Sequence, residues 1–149
     1  MLTTERQRGD YTISTDPARL DVTAIHAFLS RSYWAAGVPR SVVERALAHS
    51  LCFGLYHGTA QVGLARVISD RATFAYLADV YVLEAHRGQG LSKWLMETLC
   101  AHEDLQGLRR FLLATKDAHG LYAQFGFKPL HWPERVMEVL KLDVYQQPT

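Results

Sequence analysis

The stretch His86-Arg87-Gly88-Gln89-Gly90-Leu91-Ser92-Lys93 carries the plainest chemical signal in the chain. It lies between an apolar, strand-like run, Phe74 to Val82, and a helix-like run, Leu91 to His102. A glycine-rich turn at such a junction leaves backbone N–H groups without intrahelical partners, at the positive end of the helix dipole. That arrangement is an anion site. Gly88 and Gly90 carry no Cβ and let the backbone come close to a ligand. Arg87 and Lys93 add positive charge, which would be mildly unfavourable at a helix start unless an anion sits there. The expected guest is a phosphate or pyrophosphate.

Asp79 is the second candidate, because it interrupts an otherwise apolar strand. Strict alternation puts it on a face with Leu77 and Tyr81, opposite Val80 and Val82. A partly desolvated carboxylate there gains proton affinity and moves toward a useful base. The plainer reading is a residue that ties up a local network. Of the seven histidines, no two have the i, i+4 spacing that places two imidazoles on one helix face, so no metal is expected. Cys52 opens a predicted strand and Cys100 falls in the predicted helix. Two such thiols read as buried and reduced, which suits a cytoplasmic location.

The elements that must position these groups follow from pattern. The chain has 149 residues, 48% of them hydrophobic and 21% charged, with a net charge of +1. One domain over residues 1–149 with a substantial core is expected, and no strong pull toward nucleic acid or membrane. Residues 1–10 are polar, do not resemble a signal peptide, and are expected to be flexible. Tyr11 to Thr15 predicts a strand. Leu20 to Ser30 predicts a helix, with Val22, Ile25, His26 and Leu29 on one face. Ser41 and Glu44 read as a capping box opening a second helix. Leu51 to Tyr56 and Gln61 to Ser69 predict a hairpin around His57-Gly58-Thr59-Ala60, and Phe74 to Val82 a central strand. A helix, the strand Phe111 to Ala114 and a short helix Gly120 to Phe125 follow, then a closing strand from Val136 to Val144. The fold class is α+β: antiparallel strands first, then a βαβ crossover, giving a mixed, mostly antiparallel central sheet flanked by about four helices.

With the elements in place, the residues resemble a known family. Arg87-x-x-Gly90-x-Ser92, after Leu77-Ala78-Asp79-Val80-Tyr81-Val82, is similar to the acyl-CoA signature of the GCN5-related N-acetyltransferases (GNAT). Gly120-Leu121-Tyr122-Ala123-Gln124-Phe125-Gly126-Phe127 resembles that family's "LY-x-x-x-GF" segment. The resemblance spans roughly Tyr11 to Leu142. It implies acetyl-CoA as the cofactor. The backbone of Val80, Tyr81 and Val82 would pair with the pantetheine arm, as an added strand would. Arg87, Gly88, Gln89, Gly90, Leu91, Ser92 and Lys93 would hold the pyrophosphate, and Tyr122 would protonate the departing thiolate. Two positions depart from the pattern. Ser92 stands where glycine or alanine is usual, and Thr115 stands where many members place an asparagine on the cofactor.

The implied reaction is direct transfer of an acetyl group to a primary amine, with no covalent enzyme intermediate. Asp79 would contact the amine or accept its proton. Tyr33, Trp34 and Gly37-Val38-Pro39 fall where the family borders its acceptor pocket, and equally where core packing is needed. His119 is the histidine nearest Tyr122 in sequence, with a surface or cap role favoured. The loop His131 to Arg135 borders either the acceptor site or a dimer surface, and a homodimer is left open. Small-molecule and protein amines are both compatible acceptors, the former preferred. A non-catalytic acyl-CoA sensor is the competing class. A Rossmann-type dinucleotide domain fits poorly, because the turn lacks a complete G-x-G-x-x-G and follows several antiparallel strands.

Overall fold

Short β-branched and aromatic runs, separated by tight turns, pair here in chain order. The computed structural model describes residues 3–146. Its sheet has six strands in the order β1 (Glu5–Arg8), β2 (Tyr11–Ser14), β3 (Leu51–His57), β4 (Ala60–Ser69), β5 (Phe74–Val82) and β6 (Arg110–Leu113). Each successive pair from β1 to β5 is antiparallel. β6 runs parallel to β5, reached through helix α3 (Leu91–Cys100). Helices α1 (Val22–Leu29) and α2 (Arg40–Ala48) join β2 to β3, and α4 (His119–Ala123) follows β6. The α+β class and the late βαβ crossover are as the sequence implies.

The sheet is covered on both faces, which is why β3, β4 and β5 are so apolar. Leu91, Leu95, Met96 and Leu99 of α3 pack with Phe53, Leu55, Ala65, Val67 and Leu77 on one face. Ile25, Leu29, Val43 and Leu47 of α1 and α2 pack with Leu64 and Tyr81 on the other. Phe28 stacks on Tyr81 with ring centroids 3.9 Å apart. Cys52 belongs to this second cluster, and burial pushes its thiol up to about 12. Such a thiol is inert at neutral pH.

Three expectations need correction. Residues 1–10 were expected to be flexible, but Glu5–Arg8 form β1, paired with β2 from Glu5↔Ser14 to Arg8↔Tyr11. All four side chains are exposed, so no apolar alternation marks the strand; the ladder to β2 forms it. Second, α2 does not use Ser41 as a cap. It begins at Arg40 after Pro39, whose ring presets φ at −66°, and Glu44 pairs with Arg40 at 3.0 Å instead. Third, Val136 to Val144 is not a strand. A 3₁₀ turn at Pro133–Arg135 leads into irregular chain whose apolar side chains stand in solvent. Alternation alone does not make a strand without an edge to pair with.

Candidate functional site

The site grows from the way β5 and β6 part. They are in register from Phe74↔Arg110 to Leu77↔Leu113 and no further. Beyond Leu77, β5 stays bonded to β4 through Val82, while β6 gives way to the loop before α4. A wedge opens between them. Ala78 to Val82 form one wall, and Leu113 to Ala118, with Leu121 and Tyr122, form the other. The cavity is about 860 Å³ and also reaches Arg87, Ser92, Tyr33 and Trp34. Among the described residues, the β6-facing backbone edge of Ala78 to Val82 therefore has no strand partner.

At the foot of the wedge is the glycine turn. Gly88 and Gly90 have φ of +81° and +75°, the left-handed region that a side chain disfavours. A Cβ on either would meet nothing within 4 Å, so it is the backbone angle, with open space beside it, that calls for glycine. Gly90 is the N-cap of α3 and supplies no side-chain cap. The first intrahelical bond is Trp94 N–H to Gly90 C=O at 3.0 Å. Among the described residues, the N–H groups of Gly88, Gln89, Gly90, Leu91, Ser92 and Lys93 find no acceptor. Six consecutive free donors at a helix start suit an anion with several oxygens.

Two exposed side chains of the turn are engaged by the protein itself. Arg87 Nε donates to the Val82 carbonyl at 2.8 Å, tying the turn to the end of β5. That bond occupies one lone pair of a carbonyl expected to serve the pantetheine arm. Gln89 Nε2 donates to Tyr11 Oη and to the His86 carbonyl, each at 3.2 Å. Lys93 is exposed and Ser92 lines the cavity.

Asp79 sits where β5 buckles. Its φ is +52°, and the register with β4 shifts between Leu64 and Arg66. This bulge breaks the expected alternation. Leu77 packs on the α3 face and Tyr81 on the α1–α2 face, so they do not share a side with each other. The Asp79 carboxylate accepts from Arg66 Nε at 2.7 Å and from Trp34 Nε1 at 2.7 Å, one donor on each oxygen. Arg66 also donates to Ser50 Oγ at 3.1 Å. The sequence reading overlooked Arg66; its signal was a lone cation inside the apolar strand Gln61 to Ser69.

Tyr122 comes from the short helix α4 and is 9% exposed. Among the described residues its hydroxyl makes no hydrogen bond, so it is not spent on holding the helix in place. Burial, then the nearby Tyr33 and Asp117, raises its pKa above the ordinary tyrosine value. The proton therefore stays on at neutral pH. Thr115 Oγ1 accepts from Ala118 N–H at 3.1 Å, so this hydroxyl shapes the entry to α4 while lining the cavity. Tyr33 and Trp34 line the cavity, and Lys116 reaches over the Tyr33 ring at 5.3 Å. His119, His131 and Trp132 line a separate groove behind β6.

Comparison with known proteins agrees with this geometry. The family model for the acetyltransferase (GNAT) domain matches residues 48–129. A protein of Gibberella zeae named "Putative acetyltransferase FG08082" is 43% identical, over 78% of each chain. A crystal structure from Xanthomonas campestris pv. campestris, described as belonging to the GNAT family, is 54% identical. It superposes with a TM-score of 0.90, covering 92% of this chain and 97% of the other. A GNAT structure from Elizabethkingia anophelis with acetyl-CoA bound shares the fold at 12% identity, with a TM-score of 0.62 over 90% of each chain. The chain belongs to the GNAT family of acetyltransferases. Among the described residues, no helix is long and apolar enough to cross a membrane.

Proposed function

We propose that the chain, acting as one domain, is an N-acetyltransferase that moves the acetyl group of acetyl-CoA directly to a primary amine. The observation that carries this reading is one cavity lined by Arg87 and Ser92 on either side of the glycine turn, by β5 from Ala78 to Val82 and by Tyr122. Bound acetyl-CoA supplies an activated acetyl thioester. The free N–H groups from Gly88 to Lys93, with the Ser92 hydroxyl, hold its diphosphate. Val80, Tyr81 and Val82 offer backbone groups to the pantetheine arm, and Arg87 serves by fixing the turn against Val82. Thr115 holds the opposite wall.

Tyr122 gives its proton to the departing sulfur as the C–S bond yields to the new C–N bond. Water at the cavity mouth takes the proton released by the amine. Asp79 acts as a positioning residue: both its oxygens are engaged, and through them it orients Arg66 and the Trp34 indole over the acceptor half. Holding both reactants in one cleft supplies several kcal/mol, up to roughly 10. A small amine is the favoured acceptor, because Tyr33 and Trp34 set aromatic rings along the acceptor half of the cavity. Two free thiols, one buried and one half-buried, fit a reducing cytoplasm.

The test is thiol release from acetyl-CoA across an amine panel, for the wild type and Tyr122→Phe. Turnover lost in the variant with CoA binding intact supports this reading. CoA binding with no turnover on any amine, in either protein, would instead make the chain an acyl-CoA sensor.

A further inference from the structure

The glycine turn is bordered by a hairpin that the proposed chemistry does not use. β1 and β2 pair from Glu5↔Ser14 to Arg8↔Tyr11, so the turn at Gly9-Asp10 brings Arg8 and Tyr11 to the same end. Alternation along β2 puts Tyr11 with Ile13 on the α3 face, where both belong to the larger core cluster. The start of α3 meets that end. Arg8 sets its guanidinium 4.8 Å from the centre of the Trp94 ring, and Trp94 N–H makes the first intrahelical bond of α3, to Gly90. Tyr11 goes further and bonds the turn itself. Gln89 Nε2 faces two oxygens, the His86 carbonyl and Tyr11 Oη, each at 3.2 Å. A carbonyl only accepts, so one amide hydrogen goes to His86 and the other to Tyr11. The Tyr11 hydroxyl accepts from Gln89 and has its own proton for His86 Nδ1, at 2.8 Å. The His86 ring then carries its proton on Nε2. One hydroxyl thus joins residues 75 and 78 positions away in the chain, on either side of Arg87 and Gly88. The Tyr11 ring is fixed in turn. His57, its cross-strand partner, lies 4.8 Å away between centroids, and His86 meets it edge-on at 5.7 Å.

Resting on the diphosphate role proposed above for that turn, we infer that Tyr11 is a positioning residue for acetyl-CoA: its hydroxyl clamps the turn in the shape that presents the free N–H groups from Gly88 to Lys93. The turn needs such a brace. It holds two glycines at left-handed angles, and among the described residues none of its N–H groups from Gly88 onward is bonded within the protein. Glycine is the residue least able to hold a conformation by itself. A turn without the clamp would have to lose its freedom when the ligand arrives, and affinity would fall accordingly. The proposed transfer takes place at Tyr122, in the main cavity, which Tyr11, His86 and Gln89 do not line. The clamp therefore acts on cofactor binding and leaves the rate at saturation alone. It also gives β1 a task that its four exposed side chains do not announce: β1 pairs with β2 at the end where Tyr11 stands.

Tyr11→Phe keeps the ring and its stacking and deletes only the hydroxyl. Calorimetry should show CoA binding about tenfold weaker than in the wild type. On an amine accepted in the panel, the KM of acetyl-CoA should rise by the same factor, while kcat and the KM of the amine stay within about twofold. A merely structural hydroxyl would lower Tm without separating these constants. Gln89→Ala should weaken CoA binding in the same direction, and the double variant should lose less than the product of the two single losses, as side chains joined by one bond do. Unchanged CoA affinity in Tyr11→Phe, a fall in kcat matching the rise in KM, or independent losses in the double variant would each overturn the clamp. Imidazole nitrogen NMR supplies a reading without ligand. His86 should be the Nε2–H tautomer in the wild type and lose that bias in Tyr11→Phe; a wild type with the proton on Nδ1 would break the network. Gly90→Glu separates this clamp from the reading beneath it. If that variant binds CoA like the wild type, the turn does not hold the diphosphate and the clamp falls with it. If it loses CoA while Tyr11→Phe keeps full affinity, the clamp alone is wrong.

Discussion

Arg66 and Asp79 meet at 2.7 Å across neighbouring strands, with side chains only 15% and 10% exposed, at a point where the Asp79 backbone takes a φ of +52°. The pair and the buckle depend on each other. The bulge turns the carboxylate toward α1 and Trp34, and the two donors hold a left-handed residue in a strand where it would otherwise be unfavourable. Asp79→Asn isolates the charge, because asparagine tolerates this backbone angle. We expect kcat to fall by a similar factor, roughly tenfold, from pH 6 to 9, as for a positioning group. A loss concentrated at low pH would assign Asp79 as the proton acceptor instead. Arg66→Ala should cost about 3 kcal/mol in urea unfolding, since it strands a buried carboxylate.

Tyr122→Phe removes only the hydroxyl from a side chain that otherwise packs in the core. The fold should persist, and kcat should drop about 10²- to 10⁴-fold, the span of general acid catalysis. Because burial raises the Tyr122 pKa, its neutral, proton-giving form persists above the ordinary value near 10. The wild-type rate should therefore show no alkaline decline from this group below about pH 10. An alkaline limb near pH 8 that vanishes in the variant would contradict the raised value.

Gly90→Glu places a carboxylate in open space beside six free N–H groups, and forces a side chain onto a φ of +75°. The backbone term should cost about 1–2 kcal/mol. The protein should stay folded while calorimetry detects no CoA binding. Undiminished affinity would show that the turn does not hold the diphosphate.

Tyr56→Phe tests a different kind of site. Among the described residues the Tyr56 hydroxyl is buried with no hydrogen-bond partner, tucked over Gly54, and burial pushes its pKa up to about 12. Deleting an unsatisfied polar atom should be stabilising by about 1 kcal/mol, or roughly 3 °C in Tm. A clear loss of stability would mean that the hydroxyl has a partner after all.

Much of this architecture is visible in the chain itself. Phe74 to Val82 is apolar on both faces and lands as β5 with its stated bounds, and the helical stripe of Leu91, Trp94, Leu95 and Leu99 becomes α3. The glycine turn reads clearly because left-handed angles and free N–H groups are local properties. What escaped is what only tertiary contact decides. β1 has no apolar side to announce it, and exists because β2 offers an edge. The bulge at Asp79 needs Arg66 and Trp34, 13 and 45 positions away, so strict alternation misplaced Leu77 relative to Tyr81. Val136 to Val144 has the period of a strand, and no periodicity reveals whether a partner edge lies within the same chain.

The parting of β5 from β6 after Leu77 has an evolutionary corollary. A cleft made by two strands diverging presents peptide groups, and peptide groups are the same whatever side chains they carry. Under the proposed function, the half that takes acetyl-CoA can thus tolerate wide drift in composition. The opposite half is furnished by the loop residues Tyr33, Trp34 and Lys116, where each replacement reshapes the surface on offer. Under the proposed function, a change of acceptor needs changes in only that second half.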